Sequence, residues 1–458
     1  MVGDLHTKLD GVHRLDILDG VAEKVLQYVG GSNKKTASTE ELIAQVQALN
    51  QLGEVRMNQG NLSGAMTLFR QSLDRATAAT EREPKNDEAK YVLALSQFWM
   101  ATGHRREDHL PSALANARSY LAITADLAAR NPSNDKYALE SAYAHSLNGK
   151  LLEVSGNLKG AIEEYRTTLA MKEANAARHP SDDAAREDVA RTINKLAFAV
   201  QKDGDLHAAR HYFEKEIAMR EALLARNPQQ VRWKQDLAVS HSFLAPLLDQ
   251  LGEVDASLAH CREDIRLHGE LVAHDPANAD YQRNLAVARA RLGNMLAARG
   301  EFEAAYDLFR LAEQAARSLA ADRTRATRSG DLALIQARYA RVLLDGRHVA
   351  AARRKSEEAV AAAGTATVNR SAHGYALLVR GEIQAIDDGS AARRSWQEAA
   401  EFLRPANVHS ANVNELGNWA NVLINLGERK EAAAVVARLR DLGYRNQAFE
   451  ALCRSAGY

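Results

Sequence analysis

The stretch that decides the fold is residues 149–180, GKLLEVSGNLKGAIEEYRTTLAMKEANAARHP. It begins at a small residue, Gly149, passes a turn residue, Gly156, and continues through Ala161 and Tyr165 to a final proline. The apolar residues between these landmarks recur at helical spacing, and a glycine separates the two apolar segments. Proline ends the second segment because it cannot donate a backbone hydrogen bond and biases its predecessor away from the helical region. The stretch therefore predicts a helical hairpin: helix A, a glycine turn and helix B.

The same landmarks recur every 48 residues along the chain. The prolines of this series are Pro84, Pro132, Pro180, Pro228 and Pro276. The small residues are Gly53, Ala101, Gly149, Ala197, Ala245 and Gly293. A second small series is Ala65, Ala113, Ala161, Ala209, Ser257 and Ala305, and the turn residues are Gly60, Asp108, Gly156, Gly204, Gly252 and Gly300. Repetition at a fixed period is typical of a stacked array. We expect the small residues to lie where helix A crosses helix B, and Asp87, Asp135 and Asp183 to be N-caps of the next helix A.

The composition favours helices and excludes several function classes. The 458 residues include only 8 Pro, 27 Gly and 6% aromatic residues, and 46% are hydrophobic. Lys plus Arg equals Asp plus Glu at 59 each, so no overall charge attracts nucleic acid or an anionic membrane. The two cysteines match no disulfide framework or metal-ligand spacing. No run of 18 apolar residues and no signal-peptide pattern occurs, so we expect a cytoplasmic protein without a membrane partner.

The spacing of these landmarks resembles the tetratricopeptide repeat, in which a small residue, an alanine twelve residues later and a late proline recur. The interval from Gly53 to Ala65 is likewise twelve residues. The family's unit is about 34 residues long, and the extra length here extends each helix by one heptad. The resemblance implies an all-α fold, a right-handed α-solenoid of antiparallel helix pairs. Long alanine-rich arrays of this kind are similar to those attached to bacterial signalling and effector domains.

The repeat pattern divides the chain into four parts. Shorter repeats are predicted after the 48-residue ones because Gly346, Gly389 and Gly427 mark turns at reduced spacing. The predicted parts are an N-terminal partial repeat or cap with a linker (1–36), six 48-residue repeats (37–324), three shorter repeats (325–443) and a C-terminal capping helix (444–458).

The resemblance also implies a binding groove, lined by helix A at six and three residues before, and one and four after, the small residue. Those positions are Asn50, Glu54, Met57, Phe98, Thr102, Arg105, Tyr143, Lys150, Glu153, Arg191, Asn194, Phe198, Gln201, Ser242, Asp249 and Asn294. Aromatic residues and arginine among polar neighbours are typical of recognition surfaces. The alternative is that Phe98, Tyr143 and Phe198 only pack between neighbouring helices. The family's clamp for a C-terminal carboxylate is not reproduced at the matching positions.

One segment of the sequence has a clear excess of basic over acidic residues. Ten basic and three acidic residues between Arg317 and Lys355 give it a net charge of +7. The predicted basic patch comprises Arg338, Arg341, Arg347, Arg353, Arg354 and Lys355. It would recruit an acidic partner or pair with the acidic half of another copy, and the alternative is an ordinary solvated surface. Little aromatic interleaving accompanies it, so nucleic acid is not expected.

No catalytic motif accompanies the repeats. His207 and His211 lie four residues apart on one helix face, but no third metal ligand has suitable spacing, so a surface pair is predicted. We expect no cofactor and no enzymatic activity. The sequence predicts an interaction scaffold that binds a peptide or partner protein in its groove. The alternative is a sensor or regulatory module that acts on an attached effector domain or assembles with itself into a homo-oligomer.

Overall fold

The computed structural model describes residues 36–321, 327–364, 369–405 and 411–458. The regular structure of these ranges is entirely helical, and consecutive helices pack as hairpins. The first twelve helices are α1 (Thr39–Asn58), α2 (Leu62–Arg82), α3 (Asp87–Arg106), α4 (Leu110–Arg130), α5 (Asp135–Val154), α6 (Leu158–Arg178), α7 (Asp183–Asp203), α8 (Leu206–Arg226), α9 (Val231–Gln250), α10 (Val254–His274), α11 (Ala279–Ala298) and α12 (Phe302–Ala320). The remaining seven are α13 (Thr327–Asp345), α14 (Val349–Ala363), α15 (Arg370–Gln384), α16 (Gly389–Leu403), α17 (Val413–Leu426), α18 (Arg429–Asp441) and α19 (Gln447–Ala456).

The helices form two compact units, one up to Thr192 and one over Ile193–Tyr458, and the boundary falls inside α7. No helix of the described residues is long and apolar enough to cross a membrane. The predicted N-terminal partial repeat and linker lie outside the described residues, apart from Thr36. The division at 324 and 443 stays a prediction.

The turns between helices A and B explain the glycine series. Gly60, Gly156, Gly204, Gly252 and Gly300 all adopt the left-handed conformation, with φ between 81° and 96°, which glycine accepts without steric cost. In two turns a residue with a side chain takes this conformation instead: Asp108 at φ 60° and Arg347 at φ 65°. The left-handed residue of the seventh turn is therefore one position after Gly346, and Gly389 begins helix α16.

Side-chain caps mark the start of several A helices. Ser38 and Glu41 form a reciprocal capping box at α1. At α3 the prediction that Asp87 is the N-cap is wrong by one residue: the carboxamide oxygen of Asn86 accepts from the amides of Glu88 and Ala89. Asn134 and Asp182 do the same at α5 and α7, in place of Asp135 and Asp183. The acidic residue that follows is left to pair with other groups, as Asp87 does with Arg130 (2.6 Å).

The small residues lie where two helices meet. A Cβ atom on Gly149 would come within 2.9 Å of the Tyr165 ring, and one on Gly293 within 2.9 Å of the Phe309 ring. In a shorter repeat, a Cβ on Gly381 would come within 2.4 Å of Trp396. Each of these aromatic rings on helix B therefore packs against a glycine of helix A, where no side chain blocks its approach, as the register predicts.

Candidate groove surface

Tyr143 stands at the centre of a polar cluster in the first unit. Its hydroxyl donates to the Asp188 carboxylate at 2.8 Å, and the Lys172 amine lies 4.6 Å from its ring centroid. The same carboxylate accepts from Arg191 at 2.6 Å and lies 3.5 Å from the Lys172 amine. These four residues, the Tyr143 cluster, come from α5, α6 and α7, and they hold the tyrosine ring in place with 37% of its surface exposed.

The one carboxylate of the Tyr143 cluster, Asp188, lies between two cations, Lys172 and Arg191. Burial alone would raise the pKa of Asp188, but the charge of Lys172 and the hydrogen bonds from Tyr143 and Arg191 outweigh it and lower that pKa. Burial lowers the pKa of the Lys172 amine despite the nearby Asp188. Burial and the hydrogen bond to Asp188 raise the pKa of Tyr143, so its hydroxyl stays a donor at neutral pH. The hydrogen bond to Asp188 and the contact with Lys172 therefore hold the exposed Tyr143 ring in place.

The other predicted groove residues of the first unit divide by exposure. Arg105 and Lys150 are exposed, and the Lys150 amine reaches the Glu153 carboxylate at 3.2 Å. Asn50 and Met57 are buried, and Asn50 accepts a hydrogen bond from Ser72 (2.7 Å). The half-buried side chains are Glu54, Phe98, Thr102, Glu153 and Arg191. The exposed surface at these positions is therefore basic and aromatic.

Two predicted aromatic anchors pack against neighbouring rings. Phe98 lies edge-on to Trp99 and Tyr120, with ring centroids 5.0 and 5.6 Å away. In the second unit, Phe198 packs edge-on against Phe213 and Phe243 at 5.2 and 4.5 Å. Both residues are half-buried, so these rings contribute to packing whatever else they contact.

Asn50 and Asn194 occupy the same register position three repeats apart and have the same kind of role. Asn194 donates to the buried carboxylate of Glu216 at 2.9 Å, and that carboxylate also accepts from Ser240. In the first unit Ser72 takes the place of Glu216 and bonds both Asn50 and Ser96. These side chains therefore satisfy buried polar groups of helix B.

The predicted position Asp249 is already engaged by the protein's own chain. Residues 442–446, the closing segment, connect α18 and α19 within the second unit. The Asn446 carboxamide donates to Asp249 (2.8 Å), and the backbone amide of Arg445 donates to the carbonyl oxygen of Gln250 (2.6 Å). The Gln250 side chain in turn donates to Asn414 at 2.9 Å. Burial raises the pKa of Asp249, opposed by the Asn446 hydrogen bond. The remaining predicted positions, Gln201, Ser242 and Asn294, are half-buried.

Three of the six residues of the predicted basic patch are paired with acidic residues from distant parts of the sequence. Arg341 forms an ion pair with Glu382, and the charge of Glu382 raises the pKa of Arg341 against the effect of burial. Arg353 pairs with Asp387 (2.6 Å) and Lys355 with Glu313 (2.9 Å). The other members are Arg338, which is half-buried, and Arg347 and Arg354, which are exposed. Counting charge in a sequence window missed these acids because they lie 34 to 42 residues away.

The sequence analysis missed groove positions in the shorter repeats. Gly381 packs on Trp396 as Gly149 packs on Tyr165, so Glu382, one residue later, takes the place of Lys150. Tyr375, six residues before Gly381, takes the place of Tyr143. The pairing of a small residue on helix A with an aromatic residue on helix B could have revealed these positions. The register was applied only up to residue 324.

Comparison with known proteins identifies the repeat. Residues 189–229 match the family model of the tetratricopeptide repeat. This match shows a repeat of the tetratricopeptide type over residues 189–229. Those residues contain most of α7 and all of α8, one complete turn between two repeat helices. No curated protein matches the chain.

Several solved structures match the chain at low sequence identity. The apo form of RapI is 10% identical, with 90% of this chain and 97% of that chain covered and a TM-score of 0.56. The quorum sensor NprR from B. thuringiensis is 13% identical over 85% of this chain and 99% of that chain, with a TM-score of 0.44. A Rap protein complexed with Competence and Sporulation Factor is 13% identical over 90% and 99%, with a TM-score of 0.43. The similarity to RapI confirms the predicted all-α solenoid of paired helices.

Proposed function

We propose that the chain is a non-enzymatic interaction scaffold that binds a peptide or partner segment along the helix A positions of its first unit. Tetratricopeptide repeats present an extended surface because each repeat contacts only its neighbours. The surface proposed here is the Tyr143 strip, defined as Arg105, Tyr143 and Lys150.

The observation that carries this proposal is the engagement of Asp249. An irregular stretch of polypeptide, the closing segment, lies against a helix A position of the second unit through one side-chain and one backbone hydrogen bond. A surface of this register is therefore chemically able to hold non-helical chain. In the first unit, the described residues place the exposed side chain of Arg105 at the position of Asp249, and the exposed Tyr143 and Lys150 at other positions of the same helix A register.

The chemistry of the Tyr143 strip indicates what it would select. The Tyr143 ring offers a flat apolar contact fixed by its hydrogen bond to Asp188, so little conformational entropy is lost on binding. Arg105 and Lys150 offer cations on either side in sequence. The complementary segment has an apolar side chain flanked by carboxylates.

The experiment is a selection of peptides from a random displayed library on the purified protein, followed by anisotropy titration of the best peptide. We expect selected peptides to be enriched in Asp and Glu next to an apolar residue. Tyr143→Ala with Arg105→Ala is expected to weaken binding at least about tenfold, since truncated aromatic and arginine anchors commonly cost 2 kcal/mol or more, roughly 30-fold. Arg191 is left intact because it supports Asp188.

The matched control is Arg166→Ala, which removes an exposed arginine from helix B of the same repeat. It should leave the dissociation constant unchanged. Equal affinity of the selected peptide for the wild type and the Tyr143/Arg105 variant would reject the strip as the binding surface.

A further inference from the structure

Three potential metal ligands lie together at the turn of the second repeat. His104, Glu107 and His109 place one imidazole nitrogen or carboxylate oxygen each within 4.8 Å of one another. The His104 and His109 Nδ1 atoms lie 3.2 and 3.6 Å from the Glu107 carboxylate. The turn is accessible, with 68% of the His109 side chain exposed.

The same turn in neighbouring repeats shows what these residues replace. At the position of His109, repeats one, three and four have Asn61, Asn157 and Asp205, whose side chains accept a hydrogen bond from the helix B amides. His109 makes no such bond. The residue before it is Asp108 at φ 60°, where those repeats have glycine. Both replacements oppose the local geometry, since an N-cap hydrogen bond is lost and a side chain occupies a left-handed position.

We propose that His104, Glu107 and His109 bind a first-row divalent cation, with Zn²⁺ the best match. Two imidazoles and one carboxylate are a zinc ligand set, and three protein ligands leave one tetrahedral position for water or a ligand from a partner. The spacing puts His104 on the last turn of α3, Glu107 directly after that helix and His109 just before α4, so the ion would clamp the turn that lacks the usual glycine and cap. This proposal does not rest on binding at the Tyr143 strip, and of that strip only Arg105 adjoins a ligand, His104, in sequence.

The test is calorimetric titration of ZnCl₂ into protein that has been stripped with chelator, at pH 7.5. One equivalent of Zn²⁺ is expected to bind with a micromolar or lower dissociation constant and to raise the melting temperature. His109→Asn restores the cap of repeats one and three while removing one ligand. It should therefore melt higher than the stripped wild type and bind zinc at least tenfold more weakly, which separates loss of the site from loss of the fold.

Two further variants complete the design. Asp108→Gly retains all three ligands and relieves the left-handed side chain, so it should melt higher and bind zinc as the wild type does. His207→Gln breaks the histidine pair on α8 and should leave the titration unchanged. Absence of binding by the wild type below about 0.1 mM, full retention in His109→Asn, or loss in His207→Gln would each overturn the proposal.

Discussion

Ala161 is completely buried near the start of helix α6, where helix B of the third repeat approaches helix A. At the equivalent crossing in the sixth repeat, a Cβ on Gly293 would come within 3.4 Å of the carbonyl oxygen of Ala305. The two backbones therefore come close together at this crossing, which leaves room only for a small side chain. Interiors this closely packed resist added volume.

Ala161→Leu is therefore expected to lower the free energy of unfolding by about 1 to 3 kcal/mol through overpacking. Chemical denaturation monitored by circular dichroism measures it. Ala170→Leu, an exposed site on the same helix, is the matched control and should change stability by less than about 0.5 kcal/mol. Equal stability of the two variants would mean that the crossing does not lie at Ala161.

The sequence predicted individual residues correctly where local backbone geometry requires a particular residue type. It failed to predict ion pairs whose two partners are far apart in sequence. Glycine at the left-handed turns and small residues at crossings follow from local geometry, so their spacing alone reveals them. The acids that pair with Arg341 and Lys355 come from other repeats. Nothing in the local sequence indicates them, because an ion pair depends on how repeats stack.

Helix pairs within a repeat are joined by a polar contact at a fixed register position, and its chemistry varies. In the second repeat Asn116 donates to Gln97 at 2.6 Å. In the fifth repeat the equivalent residues are His241 and His260, whose Nδ1 atoms are 2.8 Å apart. One ring must donate and the other accept, so a second proton would place two N–H groups head to head.

This histidine pair should make stability depend on pH. Burial, and then the neighbouring His260, lower the pKa of His241 from 6.5 to about 4; of two smaller effects, Glu263 raises this pKa and Arg266 lowers it. Burial also lowers the pKa of His260, against the charges of Glu214 and Glu263. The unfolded chain therefore binds protons below pH 6.5 that the folded chain does not. Stability is present above pH 6.5 and is lost towards pH 4, by up to about 3 kcal/mol.

The variant that tests this carries His241→Gln and His260→Asn, which reproduces the pair of the second repeat. Its unfolding free energy should fall less steeply between pH 6.5 and pH 4 than that of the wild type. His274→Gln, an exposed histidine at the end of α10, is the control and should retain the wild-type slope. An identical slope in all three proteins would show that the pair does not titrate in this range.

At the scale of elements the sequence was most informative. Helices α1 to α12 follow the 48-residue lattice, since proline and glycine mark their ends. The N-caps were misplaced by one residue because Asn86 and Asp87, adjacent in sequence, are both capable caps. Backbone conformation, which one sequence does not display, decides between two such neighbours.

The contact between the closing segment and helix A of the fifth repeat depends on how many repeats stack together. The closing segment also lies over two turn glycines: a Cβ on Gly204 would come within 2.6 Å of Leu442, and one on Gly252 within 3.0 Å of the Arg445 carbonyl oxygen. A Cβ on Gly156, in the first unit, would meet no described atom within 4 Å. The sequence could not predict this contact, because it joins positions nearly 200 residues apart.

Gly252→Ala and Gly156→Ala form a matched pair, since both residues have φ near 81° and share the same strain, about 1 kcal/mol. Only Gly252→Ala should also displace the closing segment. Hydrogen exchange of residues 442–456, followed by mass spectrometry, is expected to accelerate in Gly252→Ala and to stay at the wild-type rate in Gly156→Ala. Equal exchange rates in the two variants would contradict the closure.

The closing segment also affects the affinity with which the second unit would bind a free ligand. A peptide that used Asp249 and Gln250 would have to displace a tethered competitor, whose effective concentration is on the order of millimolar. Its apparent affinity would fall by the fraction of molecules in which the segment is detached. Because the closing segment is covalently attached, its few weak contacts with this surface are enough to exclude weakly binding ligands. The specificity of the surface would therefore depend on competition with the closing segment as well as on complementarity to the ligand.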